Sequence, residues 1–524
     1  MKLRTIVKIA ITSSVVLLCS GFALYSFFRL SAAEGQKDFN LYELVPSTTS
    51  AVFVTDDVLE FVAEVDELTC SKNQQYLYVS KLFSYLKQSL YALSEDTPHG
   101  LSRQMNQMLI SFHEPDNERN QVLYCRLGNG DKELVNRFVR KYISSLYPPK
   151  TFIYKGEEII IYPMADGDFL ACYLASDFMA LSFQKKLIEN VIDAYKSGKS
   201  LADDSTFTGI RAPKKSAAAA TIYTRMQGMM GWTEFDMKMK DDFIYFSGVT
   251  HDADTCFAFI NQLRQQQSVK GFPGEVLPST AFYFSRQGIT DWVSLLSYGN
   301  AQGQSVPART SEVQNRDKEF SRYLMENAGQ DLVACLFQRE DTLQGAAAVL
   351  SLSVADVTEA ERMLRALVNA ASADEGRKNP RITFCYTVNK AYPIYRLPQT
   401  TLFEQLTSFA EPTLDVYAAF YGGRLLLAPD ADALAHYIRQ LDKGEVLNGA
   451  MAYQTGMDHL SDSYHFMLMA DFDHIFQQSE NHVRFVPDFF LRNADFFCHF
   501  TLFVQFACAD GVVYPNIVLK YKSE

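Results

Sequence analysis

The chain lacks the short signatures that usually mark an enzyme. No Walker A loop, GxSxG elbow, HExxH helix or EF-hand loop occurs in its 524 residues, so the chemistry those motifs carry has no local support. Its nine cysteines, at 19, 70, 125, 172, 256, 335, 385, 498 and 508, form no CxxC pair and no zinc-type spacing. Several sit in apolar runs such as Leu123-Tyr124-Cys125 and Phe384-Cys385-Tyr386, where a free cysteine acts as a small hydrophobe. The spacing leaves a Cys498–Cys508 bridge across a hairpin open. Positive charge is in deficit: 49 Lys and Arg stand against 61 Asp and Glu, a net −12 with no basic run after the N-terminus. That balance lacks the electrostatic footprint of a DNA or RNA partner, and no nucleic acid is expected.

What is present is globular. Hydrophobic residues make up 48% and aromatics 13%, enough to bury large cores, and the length suggests two to four domains at ~100–200 residues each.

One long apolar run exists, Ile9 to Phe28, preceded by Lys2, Arg4 and Lys8 and uncharged until Arg29. Twenty helical residues span about 30 Å, the thickness of a bilayer core. Residues 1–8 therefore read as a cytoplasmic basic region, 9–28 as a transmembrane signal anchor and 29–40 as a linker. The positive flank puts the N-terminus inside and the bulk of the chain in the periplasm or outside the cell, single-pass in the inner membrane. Ser31-Ala32-Ala33 offers the competing reading of a cleaved signal.

Self-comparison suggests a duplication. Val45-Pro46-Ser47-Thr48 before the strand-like Ala51–Val54 recurs as Leu277-Pro278-Ser279-Thr280 before Ala281–Phe284, with the prolines 232 positions apart. Helices follow with apolar Leu134, Val135, Phe138 and Val139 in one segment and Met363, Leu364, Leu367 and Val368 in the other. This i, i+1, i+4, i+5 stripe is that of a helix lying on a sheet. Tyr162-Pro163 and Tyr392-Pro393 mark edge strands or strand ends, because proline has no N–H for a central ladder. Hairpin turns are expected at Ser176-Asp177 and Gly422-Gly423, then helices through Leu187–Tyr195 and Ala433–Leu441 with stops at Gly198 and Gly444. A last hairpin turns at Asp510-Gly511.

The expected fold is α+β: two tandem copies of a mostly antiparallel sheet-plus-helices unit, 41–270 and 271–524, behind one N-terminal transmembrane helix. The spacing between matched positions grows from 230 to 246 around 397–412, an insertion in the second copy. Its Leu402, Phe403, Leu406 and Phe409 read as a short amphipathic helix and as the preferred partner contact.

Candidate chemistry is sparse. His459, His465, His474, His482 and His499 crowd the C-terminal part near Asp471 and Asp473, but His465 and Asp471 share no simple relation to a third ligand, so no metal is expected. Asp471 or Asp473 reads as a helix cap, and Asp56-Asp57, Asp203-Asp204 and Asp241-Asp242 as turns or helix starts. Gly128-Asn129-Gly130 is a turn before a helix, and Trp232 and Trp292 are core anchors. The Leu/Val-Pro-Ser-Thr lead into a short strand, behind a single anchor, resembles a broad group of uncharacterised bacterial envelope proteins. That resemblance implies an envelope location and contributes no catalytic residues.

Duplication without shared polar constellations points to a non-enzymatic, membrane-tethered extracytoplasmic binding or scaffolding protein of the bacterial envelope. It would need no cofactor, and its partners would be the membrane, through residues 9–28, and an envelope protein. The alternative is an exported hydrolase or small-ligand-binding protein with a site between the two units, built on His459, His465 or Asp471.

Overall fold

A computed structural model of the chain describes residues 39–72, 105–114, 119–128, 131–138, 147–164, 167–210, 218–225, 231–251, 258–290, 292, 311–339, 345–374, 381–388, 390–397, 416–477, 486 and 488–522. The first half supplies β1 (Ala51–Thr55), β2 (Met108–Phe112), β3 (Gln121–Arg126), β4 (Lys150–Tyr154) and β5 (Glu157–Pro163). It continues with β6 (Phe169–Leu174), β7 (Phe178–Ser182), β8 (Ala220–Thr224), β9 (Trp232–Lys240) and β10 (Phe243–His251). After the short β11 (Val269–Lys270) come β12 (Ala281–Gly288), β13 (Ala328–Gln338), β14 (Ala346–Val354), β15 (Ile382–Tyr386) and β16 (Ala391–Leu397). The chain ends through β17 (Val416–Tyr421), β18 (Arg424–Ala428), β19 (Ser463–Tyr464), β20 (Phe466–Asp471), β21 (Phe500–Ala509) and β22 (Val512–Tyr521). The helices used below are α1 (Val58–Glu67), α2 (Asp131–Phe138), α3 (Lys185–Ser197), α4 (Ala258–Gln265), α5 (Ser311–Asn327), α6 (Val357–Asp374), α7 (Ala431–Asp442) and α8 (Phe472–Phe476).

Twenty strands join in one sheet, and every neighbouring pair is antiparallel. From one edge to the middle the order is β4-β5-β6-β7-β3-β2-β1-β8-β9-β10. From the other edge it is β15-β16-β17-β18-β14-β13-β12-β20-β21-β22. The two series meet where β10 pairs with β22, in the register Phe243↔Lys520, Ser247↔Asn516 and Thr250↔Val513.

This corrects the expected fold class. The two segments do not form two tandem sheet-plus-helices units; their strands share one ladder, and β10–β22 carries backbone hydrogen bonds straight across the middle. A further correction concerns the membrane. Among the described residues no helix is long and apolar enough to cross a bilayer, and residues 9–28, on which the transmembrane anchor and the single-pass inner-membrane location were read, lie outside the described residues. The location in the inner membrane therefore has no support in the fold.

Helices cover both faces of the sheet. In α3 the buried Leu187, Ile188, Val191 and Ile192 form one stripe, which packs on Val52, Leu109, Val122, Tyr124 and Ala180. Gly198 then ends the helix with φ 63°, a conformation that costs glycine little. In α7 the stripe is Ala433, Leu434, Tyr437 and Ile438, seated on Phe284, Val333, Val349 and Leu426. Each such buried side chain contributes at most ~1.5–3 kcal/mol of transfer free energy. On the opposite faces, α1 contributes Val58 and Val62 to a core with Met108 and Leu123, while α5 and α6 bury Phe320, Leu364 and Leu367 against Leu350 and Leu352. The middle is held by Phe282, Phe472, Phe497, Phe500 and Tyr521 beside α8.

Candidate functional site

The densest polar cluster among the described residues lies on the α7 face, where the apolar rows of four adjacent strands run out. Alternation carries Arg286 two residues beyond Phe284 on β12, Asp331 two before Val333 on β13, Ser351 and Ser353 beyond Val349 on β14, and Arg424 two before Leu426 on β18. Beside Asp331 the β13–β14 register shifts, between Ala328 and Leu332, and β13 runs close to Ser353. Gly329 makes that approach possible, because a Cβ there would stand 1.9 Å from Ser353 Oγ.

Asp331 accepts from Arg286 Nε at 2.9 Å on one oxygen and from Arg424 Nη1 at 3.2 Å and Ser353 Oγ at 3.0 Å on the other. Arg424 also donates from Nε to Ser351 Oγ at 2.5 Å and from Nη2 to the Ser351 carbonyl at 3.2 Å. Arg286 Nη1 reaches the Gly271 carbonyl at 2.7 Å and the Tyr464 hydroxyl at 3.2 Å, and Tyr464 itself donates to Gly271. Burial alone would raise the Asp331 carboxyl, but the Arg424 and Arg286 guanidiniums and the Ser353 hydroxyl outweigh it and hold the group below the ordinary carboxylate range. The side chains of Arg286, Arg424 and Asp331 are only 15%, 12% and 9% exposed, so this is a largely desolvated pin with every carboxylate oxygen in use. It ties the β11 connection to β12, β13, β14 and β18. At the matching register positions of the first half stand Val54, Gln107 and Phe178, and no such pin is built there.

A second polar island joins Ser111, His113 and Tyr124. Ser111 Oγ lies 2.9 Å from His113 Nε2 and 3.0 Å from the Tyr124 hydroxyl. Burial lowers the His113 imidazole to about 4. A serine beside a histidine is the geometry of an activated nucleophile, yet Ser111 and Tyr124 are fully buried, so no substrate reaches the hydroxyl.

Of the histidines and acids singled out from the sequence, His474 meets Asp471, with Nδ1 3.4 Å from Oδ2, while His459 and His465 find other partners. His459 is exposed and packs against Phe243 at 4.4 Å, with its Nδ1 3.3 Å from the Tyr245 hydroxyl. His465 Nδ1 accepts from the Cys508 backbone amide at 3.1 Å. Asp471 caps α8 through the Asp473 amide and pairs with Lys522 at 2.7 Å. His465 and Asp471 stand six residue steps apart along the strand, about 20 Å. Among the described residues no group of three His, Cys, Asp or Glu side chains could hold a metal ion. Cys498 and Cys508 are both free thiols; Cys508 pairs across the hairpin with Val513, and burial pushes its thiol up to about 11. Asp57, Asp204 and Asp471 cap helices, and Asp241 takes a turn conformation at φ 50°. Leu402, Phe403, Leu406 and Phe409 lie outside the described residues.

The sequence reading missed the two ends of the sheet. Among the described residues β4 and β15 are its edge strands, and large apolar side chains collect there: Ile153 is 67% exposed, Phe384 53%, Tyr386 71% and Val388, at the turn after β15, 96%. Of the two prolines expected at edge strands or strand ends, Pro163 is the last residue of β5, and Pro393 lies within β16 just outside its pairing with β17, while β15 covers β16 on the other side. The available signal was Ile382-Thr383-Phe384-Cys385-Tyr386 itself, an uncharged β-prone run.

No known protein family, curated protein or solved structure matches this chain.

Proposed function

We propose that the chain is a non-enzymatic binding or scaffolding protein that works through the edges of its sheet. The observation that supports this is the exposure of Ile153, Phe384, Tyr386 and Val388 at the two ends of one ladder. Water-exposed apolar side chains beside unpaired strand backbone favour capture of another surface, and a folded chain that keeps them exposed pays in solubility unless they are used. The net charge of −12 disfavours nucleic acid as that surface. Two clusters that could have suggested catalysis fit structural roles better: both Asp331 oxygens are engaged by Arg286, Arg424 and Ser353, and Ser111 is sealed in the core.

A photo-crosslinking amino acid placed at Ile153 or at Tyr386 in the producing cell is expected to give discrete protein adducts. The same probe at Arg362, on the exposed surface of α6, serves as control. Equal, diffuse labelling from all three positions would overturn the reading.

A further inference from the structure

We propose that the β15 edge pairs with β15 of a second copy of this chain, antiparallel, about a two-fold axis at Phe384. The inference rests on the binding reading above and names its partner. Hydrogen-bond phase carries it. Arg396 donates its amide to the Arg381 carbonyl at 2.8 Å and Thr387 its amide to the Lys390 carbonyl at 3.0 Å, so the odd-numbered residues of β15 spend their backbone groups on β16. In an antiparallel ladder the phase alternates strictly. The amides and carbonyls of Ile382, Phe384 and Tyr386 therefore point away from the sheet, and among the described residues no strand meets them.

A two-fold axis at Phe384 matches this phase. It sets Phe384 opposite Phe384 of the second copy and Ile382 opposite Tyr386, and every one of these pairs exchanges two backbone hydrogen bonds. All these side chains stand on one face, so the aromatic and aliphatic groups meet as cross-strand neighbours. Phe384 and Tyr386 already lie in contact, ring centroids 6.3 Å apart. Charge permits the pairing within the run: Arg381, the cation directly before it, falls opposite Thr387 rather than opposite its own copy. The chain contains a join of the same kind, since β10 and β22 meet antiparallel about Ser247↔Asn516, each as the last strand of its series. The β4 edge fits less well. Its turn at Lys155-Gly156 closes on Tyr154↔Glu157, which leaves only Thr151 and Ile153 with outward backbone groups, and Lys155 is held there by Asp193.

Sedimentation equilibrium of the purified full-length chain across the micromolar range is expected to show a dimer. Phe384→Lys places like charges on the axis and should weaken dimerisation about tenfold or more, with Tyr386→Lys acting in the same direction and Ile153→Lys leaving it unchanged. Both β15 positions are more than half exposed, so folding, checked by circular dichroism, is spared. A photo-crosslinker at position 384 should join two copies through peptides containing residues 381–390. A chain that stays monomeric, or a dimer that survives Phe384→Lys, overturns the proposal. A monomer that still gives discrete cellular adducts from Tyr386 overturns self-pairing alone and leaves the binding function standing.

Discussion

Replacing Asp331 with alanine tests whether the arginine pin holds the second half of the sheet together. The carboxylate is the common acceptor for Arg286 Nε, Arg424 Nη1 and Ser353 Oγ, at 2.9, 3.2 and 3.0 Å. Without it two guanidiniums, 15% and 12% exposed, face each other with no counter-charge. Breaking a buried ion pair by removing one partner costs ~3–5 kcal/mol, because the remaining charge stays desolvated. The loss falls on the strands that carry the pin, so it reads out locally by hydrogen exchange. Amides of β12, β13, β14 and β18 should exchange faster by about two to three and a half orders of magnitude, while β5, β6 and β7 keep their protection. The pH dependence has a definite sign. Asp331 is held below its ordinary value in the folded chain, so its contribution is complete above the ordinary Asp range and is lost as pH falls through the depressed folded value. In the wild type these strands should lose protection relative to β5–β7 as the pH falls, and Asp331→Ala should abolish that relative loss. Unchanged protection of β12–β14 in the variant would refute the assignment of the cluster as a pin.

Two further outcomes follow from local geometry. Gly329→Ala brings a Cβ against Ser353 Oγ and should destabilise the β13–β14 region by ~1–3 kcal/mol, with part of the loss recovered when Ser353→Ala removes the hydroxyl; denaturation midpoints of the single and double variants check this. His113 should stay neutral down to about pH 4, so its imidazole resonances should not move between pH 7 and pH 5. Because the unfolded chain takes up that proton first, stability contributed by His113 falls as pH drops from the ordinary histidine range towards about 4, and a normal titration midpoint would refute its burial.

What could be read from the sequence was local. Gly422-Gly423 and Asp510-Gly511 sit in their hairpin turns with φ 56° and 79°, and 51° and 77°, because positive φ is a property of a few adjacent residues. The stripes of α3 and α7 were equally visible, since a helix repeats within a few residues. The shared ladder was not, because nothing within β10 names β22 as its partner across more than 250 residues. The same limit hid the pin: Arg286, Asp331 and Arg424 are each the single charge of an otherwise uncharged strand, and only the order β12-β13-β14-β18 makes them neighbours. The edges show why pairing order bears on function as well as fold. Ile382-Thr383-Phe384-Cys385-Tyr386 has the composition of a buried strand, and had β15 lain between two others, Phe384 would be core. It lies at the end of the ladder, and the same residues become an adhesive surface.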